Sequence, residues 1–307
     1  MRTAGIVVAA TLGLIAGGAR VHADAGKAWA AAKAGLPEDT RSVISVDVAG
    51  VHKAAAFSVV LDKLRTFPEF AATLDTLKDG CKLDPLAAIQ GLVVGIGADA
   101  SEGAVYLAIN GIDRAGLATC IQKVDHDKGT KVAIKQDGNL TQLTEGDDTS
   151  YFAWISKDVV AVSFHPQDKA ALLKWIGGKG ALAKAAVNPS LAKVNKATAA
   201  WGAGIVDKDL QPGMTAKAAY GAIGLAQGRV SFDVHAVMGT ADQASAAATQ
   251  AQGQLAAAKP GVQQQRPKLG ELLDKMTIAA AGSEVVVKAS ILEKDLLEVV
   301  TPLLGDM

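Results

Sequence analysis

Ser156-Lys157-Asp158-Val159-Val160-Ala161-Val162 and Gly282-Ser283-Glu284-Val285-Val286-Val287-Lys288 read alike. In each, a polar turn opens into a β-branched run of the kind that fits a pleated, buried surface. Each run is then followed by an amphipathic helical pattern with paired leucines, Leu172-Leu173 in the first case and Leu296-Leu297 in the second. Around this echo the chain twice runs hairpin, helix, further strands, final helix. The expectation is an α+β fold of two similar modules, residues 24–180 and 181–307. Each module should be a mostly antiparallel sheet packed by helices on one face.

Working outward, residues 42–48 mostly alternate apolar with polar, as a half-buried strand does. Residues 57–77 carry helical spacing interrupted by Pro68, which should kink or split the helix. Residues 92–96 and 104–109 form a hairpin, and Asp113 caps a helix over 114–124. Four strand-like runs lie between 131 and 164, and a helix over 167–176 is stopped by Gly177-Gly178. The Ala/Lys-rich stretch 179–186 has the composition of a boundary. Beyond it come a short helix over 189–198 and strands over 200–206, 218–225 and 229–237. A long Ala/Gln helix over 242–258 should end at Lys259-Pro260-Gly261. A short helix over 269–273, strands near 277–281 and 285–290, and a helix over 294–304 follow.

The N-terminus reads as a cleavable secretory signal. Met1-Arg2 is a positive start, residues 3–19 carry no charge, and Val21-His22-Ala23 presents small residues at a cleavage site between Ala23 and Asp24. A spanning helix needs roughly 20 apolar residues, more than this glycine-broken run offers. No later stretch is apolar for long enough to span, so the mature chain is expected in the periplasm or secreted, without a transmembrane segment. Removing Arg2 and Arg20 leaves 29 basic residues against 31 acidic ones, a net charge of −2. That balance and the scatter of the bases argue against nucleic acid and against a polybasic membrane patch.

Cys81 and Cys120 are the two cysteines. In an oxidising compartment they either pair or remain as two buried thiols. A bridge across this 39-residue separation would contribute roughly 4 kcal/mol by chain entropy.

The motifs that could carry chemistry do not survive their context. Gly95-Ile96-Gly97-Ala98-Asp99-Ala100 has a dinucleotide-like spacing, but a strand follows it where the mechanism needs a helix N-terminus. Gly177-Gly178-Lys179-Gly180 ends a helix, lacks the hydroxyl residue of a phosphate loop, and reads as a helix stop. His52, His126, His165 and His235 stand far apart, in no paired metal spacing, and His22 leaves with the signal. Asp125-His126-Asp127 reads as a solvated loop, and His235 as an exposed strand position. Glu145-Gly146-Asp147-Asp148 lacks calcium-loop spacing, Asn139-Leu140-Thr141 is a turn, and neither a nucleophile elbow nor a Ser-x-x-Lys element with the partners it requires is present. Dispersed carboxylates need no short motif and stay open.

Leu36-Pro37 before a strand carrying Val46-Asp47, Cys81-Lys82-Leu83-Asp84-Pro85 leading to Ile89, and Gly111-Ile112-Asp113-Arg114 followed by Cys120 form a recurring set. This set resembles exported bacterial proteins of unknown function built from a repeated α+β module. The resemblance implies a Cys81–Cys120 disulfide and the repeated fold, and no activity. The expectation for function is an exported cell-envelope protein acting by non-enzymatic binding or assembly, with an unknown envelope protein or an apolar ligand as partner. Alternatives are a carrier or chaperone for apolar ligands and a hydrolase with dispersed carboxylates. No cofactor, metal or catalytic residue is assigned.

Overall fold

A computed structural model describes residues 23–127, 131–211 and 214–305. Helix α1 (Ala23–Gly35) precedes β1 (Ser42–Val46). A helical excursion of α2 (Val48–Val51), α3 (Ala55–Leu64), α4 (Pro68–Cys81) and α5 (Pro85–Ala88) leads to the hairpin β2 (Ile89–Ile96) and β3 (Gly103–Ile109). Then come α6 (Arg114–Asp127), β4 (Val132–Asp137), β5 (Leu140–Glu145), β6 (Asp148–Ser156), β7 (Val159–Ser163) and α7 (Lys169–Ile176). A 3-10 turn (Ala181–Lys184) and α8 (Asn188–Lys193) lead to the long strands β8 (Ala200–Gln211), β9 (Met214–Ala226) and β10 (Arg229–Met238). The last elements are α9 (Ala241–Gln265), α10 (Pro267–Leu273), β11 (Met276–Ala281), β12 (Glu284–Leu292) and α11 (Glu293–Gly305).

The twelve strands among the described residues form one sheet in the order β11-β12-β10-β9-β8-β1-β2-β3-β7-β6-β5-β4, and the pairings are antiparallel. β1 is the seam, with Val43 opposite Gly95 of β2 on one side and Ala203 of β8 on the other. The two parts of the chain therefore share a single sheet. The stretch 179–186, whose composition suggests a boundary, carries Leu182 and Ala185 into the main core.

Helices cover both faces, which corrects the expectation of one. On the first face Val43, Val93, Tyr106 and Trp201 pack with Ala28 and Ala32 of α1, Trp175 of α7 and Leu191 of α8. On the other, Ala216, Met238 and Val285 pack with Ala244 and Ala248 of α9. Val230 and Leu225 meet Phe57 of α3 and Leu296 and Leu297 of α11 there too. The reason is legible in β12, where the neighbours Val285 and Val286 point to opposite faces and both are buried. A run apolar at successive positions, rather than alternating, is what two covered faces require. Leu36 and Leu172, both at 0 % exposure, each contribute roughly 2–3 kcal/mol of hydrophobic burial.

Pro68 splits the long helical pattern outright and sits in the first turn of α4, where its missing N–H costs nothing. Pro260 behaves otherwise: α9 continues through it to Gln265, past the expected stop. Asp125-His126-Asp127 is the last turn of α6 rather than a loop. At the edge strand β11, Gln252 of α9 donates its amide to the Ile278 carbonyl at 2.6 Å, covering one backbone group of the edge. The glycine segment after α7 also seals the end of α1: Gly178 and Gly180 N–H donate to the carbonyls of Gly35 and Ala34, each at 2.8 Å. Gly180 holds φ +83°, a conformation open to glycine at little cost.

Candidate functional site

α8 is the helix of the first face that reaches furthest along the second half, packing on β8 and β9. Beyond it the same face presents Asp233 and His235 from β10, Lys288 from β12 and Thr277 from β11. They are aligned because Asp233, Lys288 and Thr277 lie opposite one another across the strands. The period of two puts Asp233 and His235 on one face, and Glu284 joins them from the start of β12.

The centre of this cluster is Glu284. Tyr220 donates its hydroxyl to Glu284 Oε2 at 2.7 Å, His235 Nδ1 lies 2.9 Å from the same oxygen, and Lys193 Nζ of α8 reaches Oε1 at 2.5 Å. His235 Nε2 lies 3.0 Å from Asp233 Oδ1, and Lys288 Nζ lies 3.3 Å from Asp233 Oδ2. Burial alone would raise the Glu284 pKa. The hydrogen bonds from Lys193, Tyr220 and His235 outweigh it and hold the carboxyl at about 2. Burial first, and the Glu284 carboxylate second, push the Tyr220 phenol up. A carboxylate held ionised and a phenol held protonated are fixed partners for one another. The cluster ties α8 to three strands.

Beside it lies a groove of about 410 Å³. Its floor is Ala222, Gly224, Ser231 and Ser290, and its walls include Asn195 from the segment after α8, Lys275, Lys288 and Asp233. Lys275 pairs with Asp295 at 2.7 Å, and Arg229 Nε donates to Ser290 Oγ at 2.9 Å. The lining sets hydroxyls, an amide and paired charges around Ala222, Gly224, Phe232 and Ala289, so it offers hydrogen-bonding groups beside apolar surface.

Cys81, at the end of α4, and Cys120, inside α6, are joined as a disulfide with Cα atoms 4.8 Å apart. It staples two helices rather than belonging to the groove. Ala23 and Asp24 are the first two residues of α1, and the stretch before them, whose sequence reads as an export signal, lies outside the described residues. His52 ends α2 and meets Phe57 edge-on at 5.4 Å, while His165 is exposed. His235 departs from its expected exposed position: it is largely buried in the network above. The alternation along β10 contained the clue to which side it faces. Glu284, Lys193 and Tyr220 gave no local signal, because they meet only through strand register. Lys196 was likewise silent in sequence. It lies over Trp201 at 5.5 Å and Trp29 at 5.9 Å and donates to the Leu191 carbonyl, and burial, then Lys33, lowers its pKa.

Gly95 to Ala100 closes the β2–β3 hairpin, with Gly97 N–H donating to the Glu102 carbonyl at 2.9 Å. Among the described residues no group of three or more His, Cys, Asp or Glu side chains is placed to hold a metal ion. No described helix is long and apolar enough to cross a membrane.

No family model matches the chain. No curated protein matches it either. Among solved structures, crystal form I of TP0453 from Treponema is similar with a TM-score of 0.48 at 9% identity, over 89% of this chain and 96% of that one. Crystal form III of the same protein gives 0.49 at 9% identity, over 89% and 97%.

Proposed function

We propose that this chain is an exported protein of the bacterial cell envelope that works by binding a polar ligand or partner in the groove on the first face of the sheet. The observation behind it is the groove itself, floored by Ser231 and Ser290 and braced by the Glu284 network. The export pattern of residues 1–23 and the Cys81–Cys120 bridge support an oxidising compartment. The paired charges and hydroxyls around the groove, Asp233, Lys288, Lys275, Ser231 and Ser290, favour this reading over a carrier of wholly apolar ligands. A hydrolase with two carboxyls needs one that carries a proton near neutral pH, and Glu284, held at about 2, is not such a group.

Binding is tested by ¹H–¹⁵N spectra of the chain against fractions of an envelope extract. Resonances of Ser231, Lys288 and Ser290 are expected to shift, and Ser231→Trp, which fills the floor, should abolish the response. Fractions that leave these resonances unmoved, or a Ser231→Trp chain that responds like the parent, would overturn the reading.

The chain also fits an internal duplication of the kind its resemblance implies. Outward from the seam the strands run β1-β2-β3-β7-β6 on one side and β8-β9-β10-β12-β11 on the other. The two echoing sequences fall at β7 and β12, the fourth strand of each series, and α7 and α11 follow them. The β4–β5 hairpin is then an addition to the first half. An alignment of relatives in which the halves match each other no better than shuffled segments would sink this.

A further inference from the structure

Both ring nitrogens of His235 meet carboxylate oxygens: Nδ1 lies 2.9 Å from Glu284 Oε2, and Nε2 lies 3.0 Å from Asp233 Oδ1. A neutral imidazole carries one N–H, so it donates to one of them and turns a lone pair on the other. The doubly protonated ring donates to both. This is the arrangement of the imidazolium, and it must change once a proton leaves. Histidine ordinarily changes charge between about pH 5 and 8, so a small change of pH moves atoms here.

Which partner yields is decided by what holds each group. The ring is fixed in place: it stacks on Tyr220 at 4.5 Å, 10° from parallel, and is 18% exposed. Glu284, 14% exposed, is held by Lys193 Nζ of α8 and by the Tyr220 hydroxyl. Turning that hydroxyl to Nδ1, 3.1 Å away, would take a donor from Glu284 and leave its oxygen against the ring. Asp233 differs. Its carboxylate is 48% exposed at the groove wall, and its other contact is Lys288 Nζ at 3.3 Å. An anion at the surface gives up a partner to water at small cost, whereas a largely buried one does not. Among the described residues, the charged and titratable groups around the ring are Tyr220 on β9, Asp233 on β10, Glu284 and Lys288 on β12, and Lys193 on α8.

We propose that His235 is a proton-operated switch that sets the charge of the groove, with Asp233 as its moving part. With the imidazolium present, Asp233 is held by His235 and Lys288, and the cluster carries three positive charges against two negative. When the Nε2 proton leaves for water, the other proton stays on Nδ1 against Glu284, and the Asp233 carboxylate turns out into the groove. The protonated form then favours an anionic group on a ligand, and the deprotonated form a cationic one. This consequence rests on the groove being a binding site, whereas the switch itself is tested without ligand, so the two readings fail separately.

Long-range ¹H–¹⁵N spectra of the full chain are recorded from about pH 5 to 8, with His235→Gln identifying the ring signals. His235 should pass from two protonated nitrogens to the Nδ1–H tautomer, and the amide resonances of Asp233 and Lys288 should move with the same midpoint. In Asp233→Asn the ring should still titrate, and the linked shift at Lys288 should be lost. A ring that keeps its Nε2–H after titration, or that holds one protonation state across the range, overturns the proposal. So does an Asp233 resonance that stays still while the ring titrates. Acetate and methylammonium, added separately at both ends of the range, read the charge: acetate should shift groove resonances more at low pH and methylammonium more at high pH. The reverse order overturns the assignment of charge. If neither probe touches the groove while the ring and Asp233 switch as described, the switch stands and the groove reading falls.

Discussion

Tyr220 on β9 and His235 on β10 stand directly opposite one another in the antiparallel register, and their rings stack 4.5 Å apart and 10° from parallel. Both turn their polar ends to the same oxygen of Glu284. Cross-strand pairing puts the two rings together, and one carboxylate from a third strand locks them.

Glu284→Gln should remove about 2 kcal/mol of stability in urea unfolding, because Lys193 and His235 lose a largely buried anion. The pH dependence follows from a folded pKa of about 2 against an ordinary 4.5. The group is depressed, so its contribution is complete above about pH 5 and is lost as the pH falls toward 2, by about 3 kcal/mol at most. Glu284→Gln should flatten that part of the stability profile. An unchanged acid limb in the variant would remove Glu284 from its cause.

Tyr220→Phe keeps the stack and deletes the hydroxyl, and should cost about 1–2 kcal/mol. In a double-mutant cycle with Glu284→Gln the two losses should fall short of additive by at least about 0.5 kcal/mol. Strict additivity would mean that the 2.7 Å hydrogen bond contributes nothing measurable.

Mass spectrometry after alkylation without reductant should find no free thiol in chain taken from its native compartment. Replacing both Cys81 and Cys120 by serine should lower stability by about 2–4 kcal/mol, with the earliest loss of amide protection in α4 and α6, which the bridge joins.

Two glycines should respond in opposite directions to alanine. A Cβ at Gly178 meets the backbone carbonyl of Leu36, which cannot step aside, so Gly178→Ala should destabilise by about 2–3 kcal/mol. A Cβ at Gly253, within α9, meets nothing, so Gly253→Ala should stabilise by about 0.5–1 kcal/mol. Thermal unfolding of the two variants reads the contrast directly.

Export carries its own test. N-terminal sequencing of the chain recovered from its source cell should begin at Asp24, two residues into what is here α1. A chain that still begins at Met1 in the envelope fraction would remove the cleavage reading.

Much of the element order was legible because it rests on local chemistry. The β2–β3 hairpin, the Asp113 cap, with Gly116 N–H on Asp113 Oδ1, and the split at Pro68 all follow from residues within a few positions of one another. Pro260 was misread for the same reason in reverse: proline in the middle of a pattern signals a stop, yet α9 packs on β11, β12 and α10 along its length and runs on. Tertiary packing overrode a local rule.

By itself, then, the sequence determined most of the helices and strands and most of the turns between them, since periods of 3.6 and 2 and the breakers between them are properties of neighbours. Only the tertiary structure decided that β1 and β8 pair to merge the two halves into one sheet, that both faces carry helices, and that Tyr220, His235, Glu284 and Lys193 converge. Those are choices of register and of face between residues far apart in the chain. They are set by which apolar surfaces bury one another, and no local window of sequence contains both surfaces.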